Sequence, residues 1–328
     1  MANYKKVNEL YSDIDFKTGL TYFKELISLL NLLEKINYCG QNYEIRDKCI
    51  VVSYKFKLNV LNFSRLFPLK LNVEIIGLPI SISSQGYFGN PLKVKDIVEK
   101  RKGLKIILNS DKWIEGGGNT LSSFVFYNRF KNFEDYLNSL RSPYRRRLIK
   151  ALNNRKGLSV EMIDKKTFNK EHYKLYLSIM NRTKDPLEIL PIEFFQQYET
   201  EIYEFKDKNT DKILGFIQVK EVDEKLLFLF GGFNKEENKG YDLYYNMLLK
   251  IVELGIQKNV SLIEFGQTAE ESKLKIGCIE KKKYLYIHHS NPLINKIIKA
   301  LVPFLSYKPY DIKHNVFKED INLKVEKL

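Results

Sequence analysis

Phe230-Gly231-Gly232-Phe233-Asn234-Lys235-Glu236-Glu237-Asn238-Lys239-Gly240-Tyr241 is the stretch on which the reading of this 328-residue chain turns. Before it, residues 213–222 and 226–230 are rich in branched and aromatic side chains, as strands are. After it, Leu243, Met247, Ile251 and Leu254 recur three or four apart, the apolar stripe of a helix over 241–258. Residues 260–265 then read as a short buried strand. The quoted stretch is therefore a strand-to-helix junction, where unpaired N–H groups and the positive end of the helix dipole suit an anion. Gly231 and Gly232 open the loop, Lys239 adds charge, Gly240 lets a phosphate approach the backbone, and Tyr241 begins the helix. An ordinary loop with solvated charges has the same spacing.

Working outward, helices over 170–182 and 192–198 and a strand over 202–206 precede the junction, giving the order α, α, β, β, β, α, β. The first half has a similar order. Phe23, Leu26, Ile27, Leu30 and Leu33 form one helical stripe behind Thr18 as N-cap, followed by β-rich runs at 49–60 and 69–81, a helix at 94–101 and a strand at 104–108. Asn132 caps a further helix, and Ser142-Pro143 starts another that closes on Gly157, expected as a left-handed cap. The expected class is α/β (α+β): two halves, 1–157 and 158–328, each a mixed, mostly antiparallel sheet flanked by helices.

The 44% hydrophobic and 13% aromatic content excludes a disordered chain. Apolar runs are too short for a membrane span, and no secretory core follows the first lysines, so a cytoplasmic protein is expected. Three cysteines without CxxC spacing and four histidines carry no metal signature. The formal charge of +14 favours polyanionic partners: tRNA, nucleotide-linked small molecules, CoA or an anionic membrane surface. A lysine-rich composition set by the genome accounts for the same number. Arg145 and Arg146 stand in a basic run from Arg141 to Lys156 that suits a polyanion or a solvated helix face. Near the C-terminus, Leu293, Ile297, Ile298 and Leu301 form the apolar face of a helix that also carries Lys296 and Lys299. That face is expected to pack on its own domain, with peripheral membrane contact as the alternative.

Residues 213–277 resemble the core of the GNAT superfamily of acyltransferases, whose loop before the helix cradles the CoA pyrophosphate. Of that loop's pattern only Gly240 fits, with Glu237 and Asp242 in the other places. A closer resemblance is to the FemAB-like branch, which carries two GNAT-type halves. Phe133-Glu134-Asp135-Tyr136-Leu137 with Ser142-Pro143-Tyr144-Arg145-Arg146-Arg147-Leu148-Ile149-Lys150-Ala151 resembles its short helix followed by an arginine-bearing one. Gly255 before 262–266, and Lys273-Leu274-Lys275-Ile276-Gly277, are similar to its later elements.

The resemblance implies a transferase moving an acyl or aminoacyl group to an amine, such as that of a cell-wall precursor, with acyl-CoA or aminoacyl-tRNA as donor substrate and no tightly bound cofactor. It also implies that Lys273 contacts a phosphate or the developing oxyanion. The residues allow this by themselves, because acyl transfer needs preorganised charge at the oxyanion and open α/β sheets bind ligands at the C-terminal ends of strands. Glu270 could take the proton of the acceptor amine, and Gln267 and Thr268 could orient it; a capped helix start explains the same residues. Two other functions stay open: a non-catalytic GNAT-scaffold protein recognising a peptidoglycan fragment or nucleic acid, and an acyl-CoA-dependent N-acetyltransferase.

Overall fold

The computed structural model describes residues 2–12, 20–36, 39–59, 70–181, 188–310 and 312–319; the expected cap Thr18 lies outside the described residues. In chain order the elements begin β1 (Ala2–Tyr4), α1 (Val7–Ser12), α2 (Leu20–Ile36), β2 (Gln41–Arg46), β3 (Cys49–Asn59) and β4 (Lys70–Ile76). Next come β5 (Tyr87–Phe88), α3 (Pro91–Glu99), β6 (Leu104–Ser110), β7 (Gly118–Tyr127), α4 (Phe133–Ser139) and α5 (Ser142–Asn154). After them lie β8 (Leu158–Ile163), α6 (Lys170–Met180), α7 (Ile192–Gln197), β9 (Glu201–Asp207), β10 (Ile213–Val222) and β11 (Lys225–Phe233). The last are α8 (Asn238–Tyr241), α9 (Leu243–Gln257), β12 (Leu262–Glu264), α10 (Glu270–Lys275), β13 (Ile279–His289) and α11 (Pro292–Leu305).

Two compact units divide the chain, Met1–Ser122 with Lys184–Phe194 and Lys282–Pro309, and Ser123–Thr183 with Phe195–Lys281 and Tyr310–Leu328. Residues 123–157, which the sequence groups with the N-terminal half, pack in the second unit, and 282–309 pack in the first.

In the first unit the strands run in the order β1-β2-β3-β4-β6-β13, with β5 on β3. Only β4 and β6 are parallel; the other neighbours are antiparallel. Asn90 accepts the Leu92 N–H to cap α3, and Pro91 presets its first turn. This lays Val94, Ile97 and Val98 on Val51, Ile76 and Ile107 of the sheet.

In the second unit the order is β7-β12-β11-β10-β9-β8, again with one parallel pair, β11 and β12. The sequence β9, β10, β11, helix, β12 reproduces β2, β3, β4, helix, β6, so each unit is a mixed, mostly antiparallel sheet flanked by helices. Leu243, Met247, Ile251 and Leu254 are all buried on α9, as their spacing predicts. Asn132 caps α4 by accepting the Asp135 N–H at 2.9 Å. Helix α5 ends at Asn154, and Gly157 closes a 3-10 turn without the expected left-handed backbone. A Cβ at Gly157 would come within 2.9 Å of the Tyr241 ring, which explains the glycine by packing.

The junction that opens the sequence reading is shorter than expected. Gly231 and Gly232 belong to β11, paired with Ile217 and Phe216 of β10. A Cβ at Gly232 would lie 2.5–2.8 Å from the backbone of Leu175 and Tyr176, so the missing side chain is what lets α6 lie against the strand. Because backbone cannot move aside as a side chain tip can, Gly232→Ala should lower stability by about 2 kcal/mol. The check is a lower urea midpoint with an unchanged slope.

Candidate active site

Strands β11 and β12 pair over three positions, Lys225 with Leu262, Leu226 with Ile263 and Leu227 with Glu264. Beyond Glu264 the chain turns to β7: the Phe265 N–H donates to the Phe124 carbonyl at 2.8 Å, and the Phe124 N–H to the Gly266 carbonyl at 3.0 Å. Strand β11 continues to Phe233, and among the described residues that remainder is paired only with β10. The two parallel strands thus part after Leu227. Next to the parting, the register with β10 shifts between Gln218/Val219, leaving Leu229 as an extra residue on β11. A bulge of this kind re-aims the strand and its side chains. The position is the C-terminal edge of a parallel pair, where open α/β sheets take ligands.

The far wall is the loop from Gly266 to Ala269. Gly266, Thr268 and Ala269 have φ of 68°, 64° and 52°. Glycine adopts the left-handed region freely, whereas Thr268 and Ala269 do so at a strain that the surroundings must hold. Lys273, in the last turn of α10, supplies the hold. Its Nζ donates to the Gln267 carbonyl at 2.6 Å and the Gly266 carbonyl at 3.3 Å, and lies 5.7 Å from the centre of the Phe124 ring. The side chain is 2% exposed, and burial lowers its pKa to about 8, against smaller opposing contributions from Cys278 and Glu270. Lys273 therefore shapes the loop from behind, where the sequence reading has it facing a phosphate or oxyanion. Gln267 and Glu270 are half-buried and Thr268 is exposed, so these three are the loop's accessible polar side chains. Glu271 pairs with Lys275 one turn on, at 2.5 Å.

The start of α9 carries its own caps. The Tyr244 N–H donates to the Asn238 side chain at 2.9 Å, and the Asn246 N–H to the Asp242 carbonyl at 3.0 Å. Lys239 and Gly240 lie exposed on the single turn α8, and a Cβ at Gly240 would meet nothing within 4 Å, so no close approach requires glycine there. Tyr241 donates its hydroxyl to Asp207, and this bond, followed by the Thr210 and Asn209 amides, holds the Asp207 carboxyl down to about 2. The two acids that depart from the family loop have cationic partners. Asp242 binds Arg147 at 2.6 Å and Asn154 at 2.8 Å, while Glu237 accepts from Lys212 at 3.4 Å.

On α5, Arg146 is exposed and Arg145 is half-buried, with its Nε lacking a hydrogen-bond partner among the described residues. Arg147 also lies over the Tyr245 ring at 4.3 Å, a cation–π contact. Three further residues escape the sequence reading. Buried Asn246 donates to the Ala151 and Tyr241 carbonyls, tying α9 to α5 and α8. Phe124 sits under the Lys273 ammonium. His314 faces Tyr144 at 3.2 Å from a segment with no regular secondary structure. Only Asn246, an amide inside an apolar helical stripe, leaves a visible signal in the sequence.

No protein-family model matches the chain, and no curated protein matches it in sequence. Solved structures do. The C-terminal domain of a putative lysylphosphatidylglycerol synthetase from Agrobacterium fabrum superposes with a TM-score of 0.51 at 9% identity, over 85% of this chain and 91% of that one. FemX matches with a TM-score of 0.49 at 12% identity, over 91% of this chain and 100% of its own. L-PGS from Bacillus licheniformis matches with a TM-score of 0.46 at 11% identity, over 85% and 95%. The first of these likenesses concerns the fold alone. The chain shares the fold of that synthetase domain, a mixed α/β architecture with a mostly antiparallel sheet flanked by helices.

Proposed function

We propose that this protein is a GNAT/FemAB-type transferase that moves an acyl or aminoacyl group from an activated donor to an amine, at the parting of β11 and β12. That parting is the observation that carries the reading. The edge of a strand where its parallel neighbour has turned away can take up an extended, amide-bearing chain, and backbone N–H groups there can hold the carbonyl oxygen that gains charge as the amine attacks. The amine nitrogen bonds to the carbonyl carbon, the bond to the donor's oxygen or sulfur breaks, and the leaving group receives the proton. In this reading Glu270 accepts that proton from the amine, Gln267 and Thr268 orient the acceptor, and Lys273 keeps the loop in shape. Arg145 and Arg146 attract the anionic part of the donor.

The capped start of α9 supports aminoacyl-tRNA over acyl-CoA, since the Tyr244 N–H that would meet a pyrophosphate already has a partner. The acceptor amine of a nucleotide-linked cell-wall precursor rests on the family resemblance, and a cytoplasmic setting on the sequence's short apolar runs and N-terminal composition. Thermal melts with acetyl-CoA, a UDP-linked muropeptide and aminoacylated bulk tRNA test this, because a ligand of the native state raises the melting temperature. Stabilisation by the tRNA and the precursor, with one aminoacyl mass added to the precursor, is the expected result. Stabilisation by acetyl-CoA alone turns the reading to an N-acetyltransferase, and binding without any mass gain to a non-catalytic protein. If none of the three shifts the melt, the transferase reading fails.

A further inference from the structure

Helix α11 leaves its apolar side in solvent. Leu293, Ile294, Ile297, Leu301, Phe304 and Leu305 are all exposed, Leu293 by 76% and Phe304 by 86%. At 3.6 residues per turn these six fall within about 120° of the helix circumference. The opposite side is the attached one: Val302 is buried, and Asn295 accepts the His289 N–H. Isolated exposed leucines are ordinary, but six on one helical face form a patch of the kind that marks an interaction surface. Of the stripe Leu293, Ile297, Ile298 and Leu301, expected to pack on its own domain, three residues are exposed and Ile298 is half-buried.

The charges beside the patch identify what covers it. On the same helix Lys296 lies about 60° from the edge of the patch and Lys299 on the side opposite its centre, both exposed. From Lys281 to Tyr310 the sequence has six lysines and no acidic residue. An exposed apolar face on a helix whose only charges are lysines is the pattern of a helix lying in the interface of an anionic bilayer, apolar side toward the acyl chains. A helix of 14 residues is too short to cross, and among the described residues none is long and apolar enough to do so. We propose that α11 docks the protein on the surface of an anionic lipid bilayer. This inference does not depend on the transferase reading.

Flotation of the full-length chain with phosphatidylcholine–phosphatidylglycerol vesicles, beside vesicles of phosphatidylcholine alone, tests it. The protein should float with the anionic vesicles, and binding should weaken as salt rises. Ile297→Glu and Phe304→Glu should each lower the partition by at least about tenfold, since each removes a buried-on-binding apolar side chain. Lys296→Glu with Lys299→Glu should lower it by a similar factor on anionic vesicles only. These side chains are exposed, so unchanged melting temperatures will certify that the variants fold. Failure to float at low salt overturns the proposal, as does binding that survives Phe304→Glu. A wild-type dimer in sedimentation that Phe304→Glu converts to monomer also overturns it, because a second copy then covers the face.

Discussion

Near pH 7, Lys273→Ala is expected to lower the unfolding free energy by about 3–5 kcal/mol, while Lys273→Met should cost no more than about 2. The alanine variant loses both the buried stem and the donor, leaving a cavity and two carbonyls, of Gly266 and Gln267, without their partner. Methionine keeps the volume and removes a buried charge whose desolvation opposes folding, so its loss is partly offset. The pH dependence separates this account from a solvated lysine. Burial holds Lys273 at about 8, below the roughly 10.4 of an exposed lysine. Between those values the unfolded chain binds more protons than the folded one, so stability rises with pH across that window, by on the order of 3 kcal/mol. The contribution is absent below it and complete above it. Urea unfolding of wild type and Lys273→Met near pH 7 and near pH 10 measures the difference, and parallel changes in the two proteins would show that the ammonium is not buried.

The second half of the fold was readable because its signals are local. The stripe on α9 and the apolar run of β10 each declare a period within a dozen residues, and Ile213–Val222 is predicted to the residue. Gly231 and Gly232 misled for a physical reason. A glycine pair looks like a chain breaker, yet here it removes side chains from a strand face that a helix must approach. The Asp242–Arg147 pair was invisible because its partners are far apart in sequence, so an acid in the family loop looked like a defect rather than half of an ion pair. Lys273 was placed correctly beyond β12, but its direction depends on left-handed backbone at Thr268 and Ala269, which no propensity suggests for a threonine and an alanine in succession. For α11 the amphipathic pattern was legible. Whether the stripe would be covered was not, because periodicity reports which residues share a face and says nothing of what lies against it.

Arg101→Met should destabilise the first unit by about 2–3 kcal/mol, less than the loss of one partner of a fully buried ion pair because Arg101 and Glu74 are only half-buried. Arg101 follows α3 and places its guanidinium between two carboxylates on different strands. Nη2 meets Glu44 of β2 at 2.5 Å, and Nη1 meets Glu74 of β4. Ser53 of β3 donates to Glu74 at 2.9 Å, and together these groups line a cavity of about 200 Å³. Glu44 is 5% exposed, so any water in this cavity replaces the arginine's two charge-assisted bonds only in part. The buried Lys105 ammonium is already engaged, donating to the Arg101 carbonyl. Without the guanidinium, two like charges face each other across one strand with no cation between them. Adding Glu44→Gln and Glu74→Gln to Arg101→Met should recover most of the loss, because the deficit comes from unpaired charge and not from lost packing. Urea midpoints of the single and triple variants decide it. A triple variant no more stable than the single one would mean that Arg101 acts through the volume of its stem, and that the carboxylates of β2 and β4 do not depend on it.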